Sequence, residues 1–459
     1  MLSKPPNRLQ RAAARFNAVL HVQRGSDGAP WQRFRILRDL FIRSSAGNAL
    51  LMRLSALGLV ARPCWRKTHV LPLPDGFGAA TATVALNVPQ LPAYPVLEFA
   101  EHVTGEDGRA TDTVLATFRG GFALSRDLGE TWKYVRIAGW RDHRVIHAKA
   151  IGNGEFLLQA VPPRPYDSQR RSVALLVVDE AGDILAVNRV EGSRWHGCRS
   201  VDCSGDTLMY AEYPYDSDDP FAKDRFECRV FRSRDRGRSW QIVRTDGAIR
   251  HFHLLQARPS AIGEWWLTSG DEPNECHIWV SRDDGDSWVS LTDGFGDSIV
   301  VGGERFRHTL FRLTDLAWHG DEVVWGTDDR LRASGKGRHG ARVVRSPAAS
   351  SLRPEIVGLA QWEIRSLVDL GDAYLFLTQG CARPDTEHNQ GPGVFLMPKR
   401  QGAKLTHLFD VDVHSMIRTG FTYSQASRAA KNGVFFTFRT STDVFPFGHK
   451  ILKWKVALE

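Results

Sequence analysis

The sequence predicts an all-β main body, built from repeated strand units and preceded by a basic helical segment. Three observations lead there. One turn motif occurs three times, an apolar–basic pair recurs at near-constant spacing, and the positive charge is gathered in the first 69 residues.

The segment 1–65 is read as helical and 66–459 as the repeat domain. Leu9, Ala13, Phe16 and Leu20 follow three- and four-residue steps, as do Phe34, Leu37 and Phe41. A third apolar stretch runs from Ala46 to about Val60, and Pro63 follows it. Residues 1–69 carry 13 Lys and Arg against Asp27 and Asp39, while the remaining 390 residues hold 47 basic and 50 acidic groups. The net charge of +8 therefore belongs to the N-terminal segment, and the main body is not expected to bind nucleic acid. The first 60 residues would suit an anionic membrane surface or a protein partner, or pack on the main domain as a solvated extension.

The 459 residues are 42% hydrophobic and 24% charged, which excludes global disorder. Six cysteines, at 64, 198, 203, 228, 276 and 381, form no C-x-x-C pair. That excludes a small disulfide scaffold and predicts no structural zinc. No apolar run reaches the ~18–20 residues that cross a bilayer, and no secretory signal pattern is present. A cytoplasmic protein, peripheral to a membrane at most, is expected.

The turn motif is Ser125-Arg-Asp-Leu-Gly-Glu-Thr-Trp132, Ser233-Arg-Asp-Arg-Gly-Arg-Ser-Trp240 and Ser281-Arg-Asp-Asp-Gly-Asp-Ser-Trp288. Asp accepts local N–H bonds, Gly tolerates positive φ, and Trp opens the next strand with a large apolar surface. The second ruler is Ile146-His147, Cys198-Arg199, Phe252-His253, Phe311-Arg312, Ile364-Arg365 and Ile417-Arg418, with basic residues 52, 54, 59, 53 and 53 apart. That is close to the ~40–50-residue period of a four-stranded propeller blade. Each pair is expected to open an innermost strand. A second apolar strand follows each: 156–159, 207–212, 265–268, 323–326, 373–378 and 434–438. One earlier blade starts at Val96–His102. The count is seven, with six as the alternative, and the ring closes through a strand within His69–Val88.

The three motifs resemble the Asp-box, or BNR repeat, of sialidases and related β-propellers. The resemblance implies that the boxes lie on outer hairpins, so Asp127, Asp235 and Asp283 are structural. Sialidases have six blades and an Arg-Ile-Pro motif that is absent here. Other Asp-box propellers include seven-bladed members.

If the register holds, His147, Arg199, His253, Arg312, Arg365 and Arg418 ring one channel mouth. The ends of the second strands add Arg119, Gln159, Glu212, Asp271, Asp328, Gln379 and Arg439. Converging guanidiniums suit an anion, because each binds a carboxylate through two parallel N–H bonds. The expected ligand is an acidic carbohydrate containing sialic or uronic acid. The sialidase resemblance implies Arg199, Arg365 and Arg418 on the substrate carboxylate, Glu212 with Tyr213 as nucleophile pair, and Asp271 as acid/base. A lyase would use His147, His253 or Tyr213 for proton transfer. The alternative is a non-catalytic propeller that binds a glycan or protein through the same basic face. Trp265, Trp266 and Trp325 are read as core. His251-Phe252-His253 puts two imidazoles on one strand face, but only one end of that strand should reach the mouth, so neither a metal nor a cofactor is expected.

Overall fold

Each repeat folds as a four-stranded antiparallel sheet whose second and third strands are rich in buried apolar residues. The computed structural model describes residues 66–73, 81–87, 99–104, 110–161, 172–191, 200–213, 227–296, 298–328, 340–378, 393–400, 402–410, 434–438 and 451–459. The helices expected within 1–65 lie outside these residues. None of the described residues forms a helix long and apolar enough to cross a membrane.

The described strands make seven four-stranded sheets and one two-stranded hairpin. Sheet I holds Phe99–Thr104, Ala110–Phe118, Gly121–Ser125 and Lys133–Arg136; sheet II holds Arg144–Gly152, Glu155–Val161, Ser172–Asp179 and Ile184–Glu191. Sheet III holds Val201–Ser204, Thr207–Ala211, Cys228–Ser233 and Gln241–Asp246; sheet IV holds Phe252–Ala257, Trp265–Ser269, Ile278–Ser281 and Val289–Ser290. Sheet V holds Leu316–His319, Glu322–Gly326, Ala341–Pro347 and Glu355–Ala360; sheet VI holds Ile364–Asp369, Ala373–Thr378, Gly393–Pro398 and Thr406–Asp410. In sheets I to VI the strands pair in chain order. Sheet VII joins the two ends of the domain. Its order is Arg66–Pro72, Thr81–Asn87, Ile451–Leu458, Val434–Phe438. Closure thus uses two N-terminal strands, where the sequence suggested one.

Burial explains the apolar runs. Every residue of Trp265–Ser269 and of Ala373–Thr378 is buried, because a neighbouring sheet covers each face. The outermost strand Gln241–Asp246 is mostly exposed or half-buried, and its sequence is accordingly polar. Successive sheets share cores. Phe122 of I meets Phe156 of II, and Leu157 of II clusters with Leu208 of III. Met209 of III clusters with Trp265 of IV, and Trp266 of IV with Trp325 of V. Val324 of V clusters with Phe376 of VI, and Leu375 of VI with Trp454 of VII. Val434–Phe438 lies against Phe99–Thr104, and Lys453 Nζ donates to Glu130 Oε1 at 2.5 Å. The circuit returns to sheet I, which is the architecture of a β-propeller.

The three turn motifs each connect the third and fourth strands of a sheet. In the first, Ser125 Oγ donates to Asp127 Oδ1 at 2.7 Å and accepts from Gly129 N at 2.7 Å. Asp127 accepts from Thr131 N at 2.9 Å and from Thr131 Oγ1 at 2.6 Å. The second and third repeat this network around Asp235 and Asp283. Gly129, Gly237 and Gly285 take φ of 84°, 85° and 85°, the left-handed region that glycine enters without strain. The tryptophans bury only part of their large apolar surfaces. Trp132, Trp240 and Trp288 are half-buried and only flank the cores.

Candidate functional site

The end of a second strand sits beside the start of the next inner strand, which brings the two aligned residue sets together. Phe252 N donates to Glu212 O at 3.3 Å, and Ile364 N donates to Thr327 O at 3.0 Å. Between them the 59-residue step holds an insertion, the hairpin Ser298–Val301/Glu304–Arg307 and a 3₁₀ turn over His308–Phe311. Arg312 therefore caps that turn. It does not open an inner strand as the spacing suggested; the strand begins at Leu316.

Six of the expected residues meet, Tyr213 through its stacking on His251. Arg312 Nη2 lies 2.8 Å from Asp271 Oδ1, and its Nη1 donates to Asp271 O at 3.1 Å. Arg312 Nε lies 3.6 Å from Asp328 Oδ2, the same oxygen that pairs with Arg365 Nη1. His253 Nε2 lies 3.4 Å from Asp271 Oδ1. His251, outside the expected set, joins them. Its Nε2 is 2.9 Å from His253 Nε2 and 3.5 Å from Asp271 Oδ2, and Tyr213 stacks on its ring at 3.9 Å. Both imidazoles thus reach Asp271, against the expectation that only one would. The reason is a β-bulge: strand pairing slips between Phe252 and Leu254, so His253 is the extra residue. The side chains of Arg312 and Arg365 are 22% and 17% exposed, while that of Asp328 is 1% exposed.

Electrostatics separates these groups. Burial raises the pKa of Asp271, but the hydrogen bond from His253 and the charges of His253, His251 and Arg312 outweigh it and hold it well below the carboxylate range. Burial pushes Asp328 up, against the opposing charges of Arg365 and Arg312. Burial, reinforced by His253, pushes His251 well below its ordinary value. Two guanidiniums face two carboxylates, and the positive charge is compensated within the cluster.

Other expected residues stand elsewhere. Glu212, 1% exposed, accepts from Arg229 Nε at 2.8 Å, Arg229 Nη2 at 2.6 Å and Arg229 N at 2.9 Å. Its carboxylate is committed to its own sheet. His147 Nε2 lies 3.9 Å from Glu101 Oε2, and its ring packs on Phe99. Lys149 bridges Glu101 and Asp202 at 3.0 Å each. In sheet II the bulged residue is Ile146, whereas in sheets IV and VI it is His253 and Arg365 themselves. A one-residue offset turns a side chain to the other face, which separates His147 from the set. Arg199, Arg418, Gln379 and Arg439 lie outside the described residues. Arg119 keeps to Asp142, donating from Nε to its backbone oxygen at 3.3 Å. Trp265, Trp266 and Trp325 are core, as expected.

The sequence reading missed Arg229 and the partners of Lys149. Asp202 and Asp315 are further buried acids: their Oδ2 atoms accept the backbone N–H of Ala257 at 3.0 Å and of Leu367 at 2.7 Å, each in the next sheet. His251 was visible in the His-Phe-His triplet, but only the bulge brings both rings to one carboxylate.

No family model matches this chain, and no curated protein sequence is similar to it. Solved structures resemble it weakly. YCF48 bound to D1 peptide aligns at 11% identity and a TM-score of 0.46, covering 84% of this chain and 99% of its own. The extracellular domain of BT4673 from B. thetaiotaomicron aligns at 10% and 0.45, covering 85% and 40%. The WD40 domain of Pan2 from Neurospora crassa aligns at 8% and 0.44, covering 80% and 92%.

Proposed function

We propose that this chain is a non-catalytic, seven-bladed β-propeller of Asp-box type that binds an acidic glycan, sialylated or uronate-containing, at one mouth of its central channel. The convergence of Arg312 and Arg365 with Asp271 and Asp328 carries the reading. The two carboxylates hold the guanidiniums in place, so little ordering remains when a ligand arrives. A guanidinium has five N–H donors, enough to serve a protein carboxylate and a sugar carboxylate together. Carboxylates and imidazoles complement sugar hydroxyls, which both donate and accept. The seven sheets and the three identical turn networks support the architecture.

Binding fits the residues better than cleavage. Glycoside hydrolysis needs a free carboxylate and an acid that holds a proton. Glu212 is tied to Arg229, Asp271 stays ionised, and Asp328, which burial pushes up, is 1% exposed and held by Arg365 and Arg312. A lyase needs an accessible neutral base, and His251 is wholly buried beneath Tyr213. The test is calorimetry with polygalacturonate and with sialylated oligosaccharides, followed by product analysis of the same mixtures. Saturable binding with no shortened chains is expected. Unsaturated or newly reducing ends would overturn the non-catalytic reading, and absence of binding to both would overturn the glycan reading.

A further inference from the structure

We infer that His251, His253 and Asp271 form a binding site for one divalent transition-metal ion of the zinc, cobalt or nickel kind. This goes beyond the glycan reading and does not rest on it. The argument is geometric. The two Nε2 atoms are 2.9 Å apart, and they lie 3.5 Å and 3.4 Å from the Asp271 oxygens. Ligand atoms at the usual ~2.0–2.2 Å from such an ion, spaced this way, subtend angles of about 90° between the nitrogens and about 110° between each nitrogen and the Asp271 oxygen nearest it, Oδ2 for His251 and Oδ1 for His253. Both angles are ordinary for three protein ligands with positions left open. All the candidate ligand atoms lie within 4.8 Å of one another.

The surroundings fit the same role. Imidazole and carboxylate together suit borderline transition metals, not calcium or magnesium. Arg312 Nη2 holds Asp271 Oδ1, which orients the carboxylate and leaves Oδ2 towards His251. Tyr213 stacks on His251 and fixes its ring plane. Arg312, Arg365 and Arg250 oppose a cation here; Asp271 and Asp328 offset the first two, and Glu275 and Glu272 pair with Arg250 at 2.7 Å and 3.3 Å. Without an ion the two imidazoles share a single N–H···N hydrogen bond, the competing account of their close approach.

The experiment strips the full chain with a chelator and titrates it with Co²⁺ alone, reading the visible d–d bands, then displaces Co²⁺ with Zn²⁺. One ion per chain is expected, with unchanged binding in the surface variant His407→Gln. His253→Gln and Asp271→Asn should each weaken binding by more than the roughly 10–100-fold that loss of an outer partner costs. Circular dichroism checks that each variant folds, and if one does not, the other and the wild-type stoichiometry decide. No saturable Co²⁺ spectrum in the wild-type chain, or equal affinity in a folded variant, overturns the site.

Discussion

Glu212 and Arg229 form a bidentate ion pair in which the buried carboxylate also accepts the backbone N–H of its partner. Removing the arginine strands a buried charge. Arg229→Ala should therefore destabilise the domain by ~3–5 kcal/mol, as is usual when one member of a buried pair is deleted. Glu212→Gln, which keeps shape and part of the bonding, should cost less. Denaturant unfolding of both variants checks the order, and equal losses would contradict it.

The turn networks predict acid sensitivity. Hydrogen bonds from Thr131 and Ser125 hold Asp127 at about 2, below its ordinary 3.8, and Ser287 and Ser281 do the same for Asp283. A carboxylate depressed in the folded state stabilises above its unfolded pKa and loses that contribution as pH falls through the folded one. Stability should drop between about pH 4 and pH 2. Asp127→Asn should flatten that drop, measured by thermal melts across the range, while lowering stability at pH 7.

The half-burial of the motif tryptophans reduces what they contribute. Full burial would make Trp→Ala worth ~3–5 kcal/mol; for Trp240 and Trp288 about 1.5–3 kcal/mol is expected. A finer contrast tests the geometry. Trp240 Nε1 donates to Gly237 O at 3.1 Å, whereas the buried Nε1 of Trp288 has no partner. Trp240→Phe should cost about 1 kcal/mol more than Trp288→Phe.

Arg365 links stability to binding. Arg365→Ala should weaken an acidic glycan by ~2–5 kcal/mol by calorimetry. It also leaves Asp328 with less opposing charge, so the already raised pKa of that acid climbs further. A carboxylate raised in the folded state stabilises at low pH and loses that contribution as pH rises through its folded value. The variant should therefore be more destabilised at pH 7 than at pH 4, and a pH-independent loss would show that Asp328 is not its partner.

The repeat structure was legible because its signals are local. The apolar second-strand runs, the Ser-Arg-Asp turn networks and the 52–54-residue steps each reflect the repeated sheet unit, where sequence spacing and spatial spacing agree. The second-strand segments all appear as strands. The neighbourhood of His253, Arg365, Asp271 and Asp328 followed from the same register.

Three features were settled only in three dimensions. A single bulged residue decides which face a side chain takes, and one falls on Ile146 in sheet II but on His253 and Arg365 in sheets IV and VI. That offset sent His147 to Glu101 and brought both His251 and His253 to Asp271. The insertion before Leu316 moved Arg312 off its strand yet kept it within reach of two carboxylates. Which acid meets which base also crossed between strands and sheets: Glu212 with Arg229 and Asp328 with Arg365. The sequence by itself determined the sheets, because those depend on pattern along one strand. The tertiary structure alone decided the pairing of the charges, because pairing depends on register and burial between strands far apart in the chain.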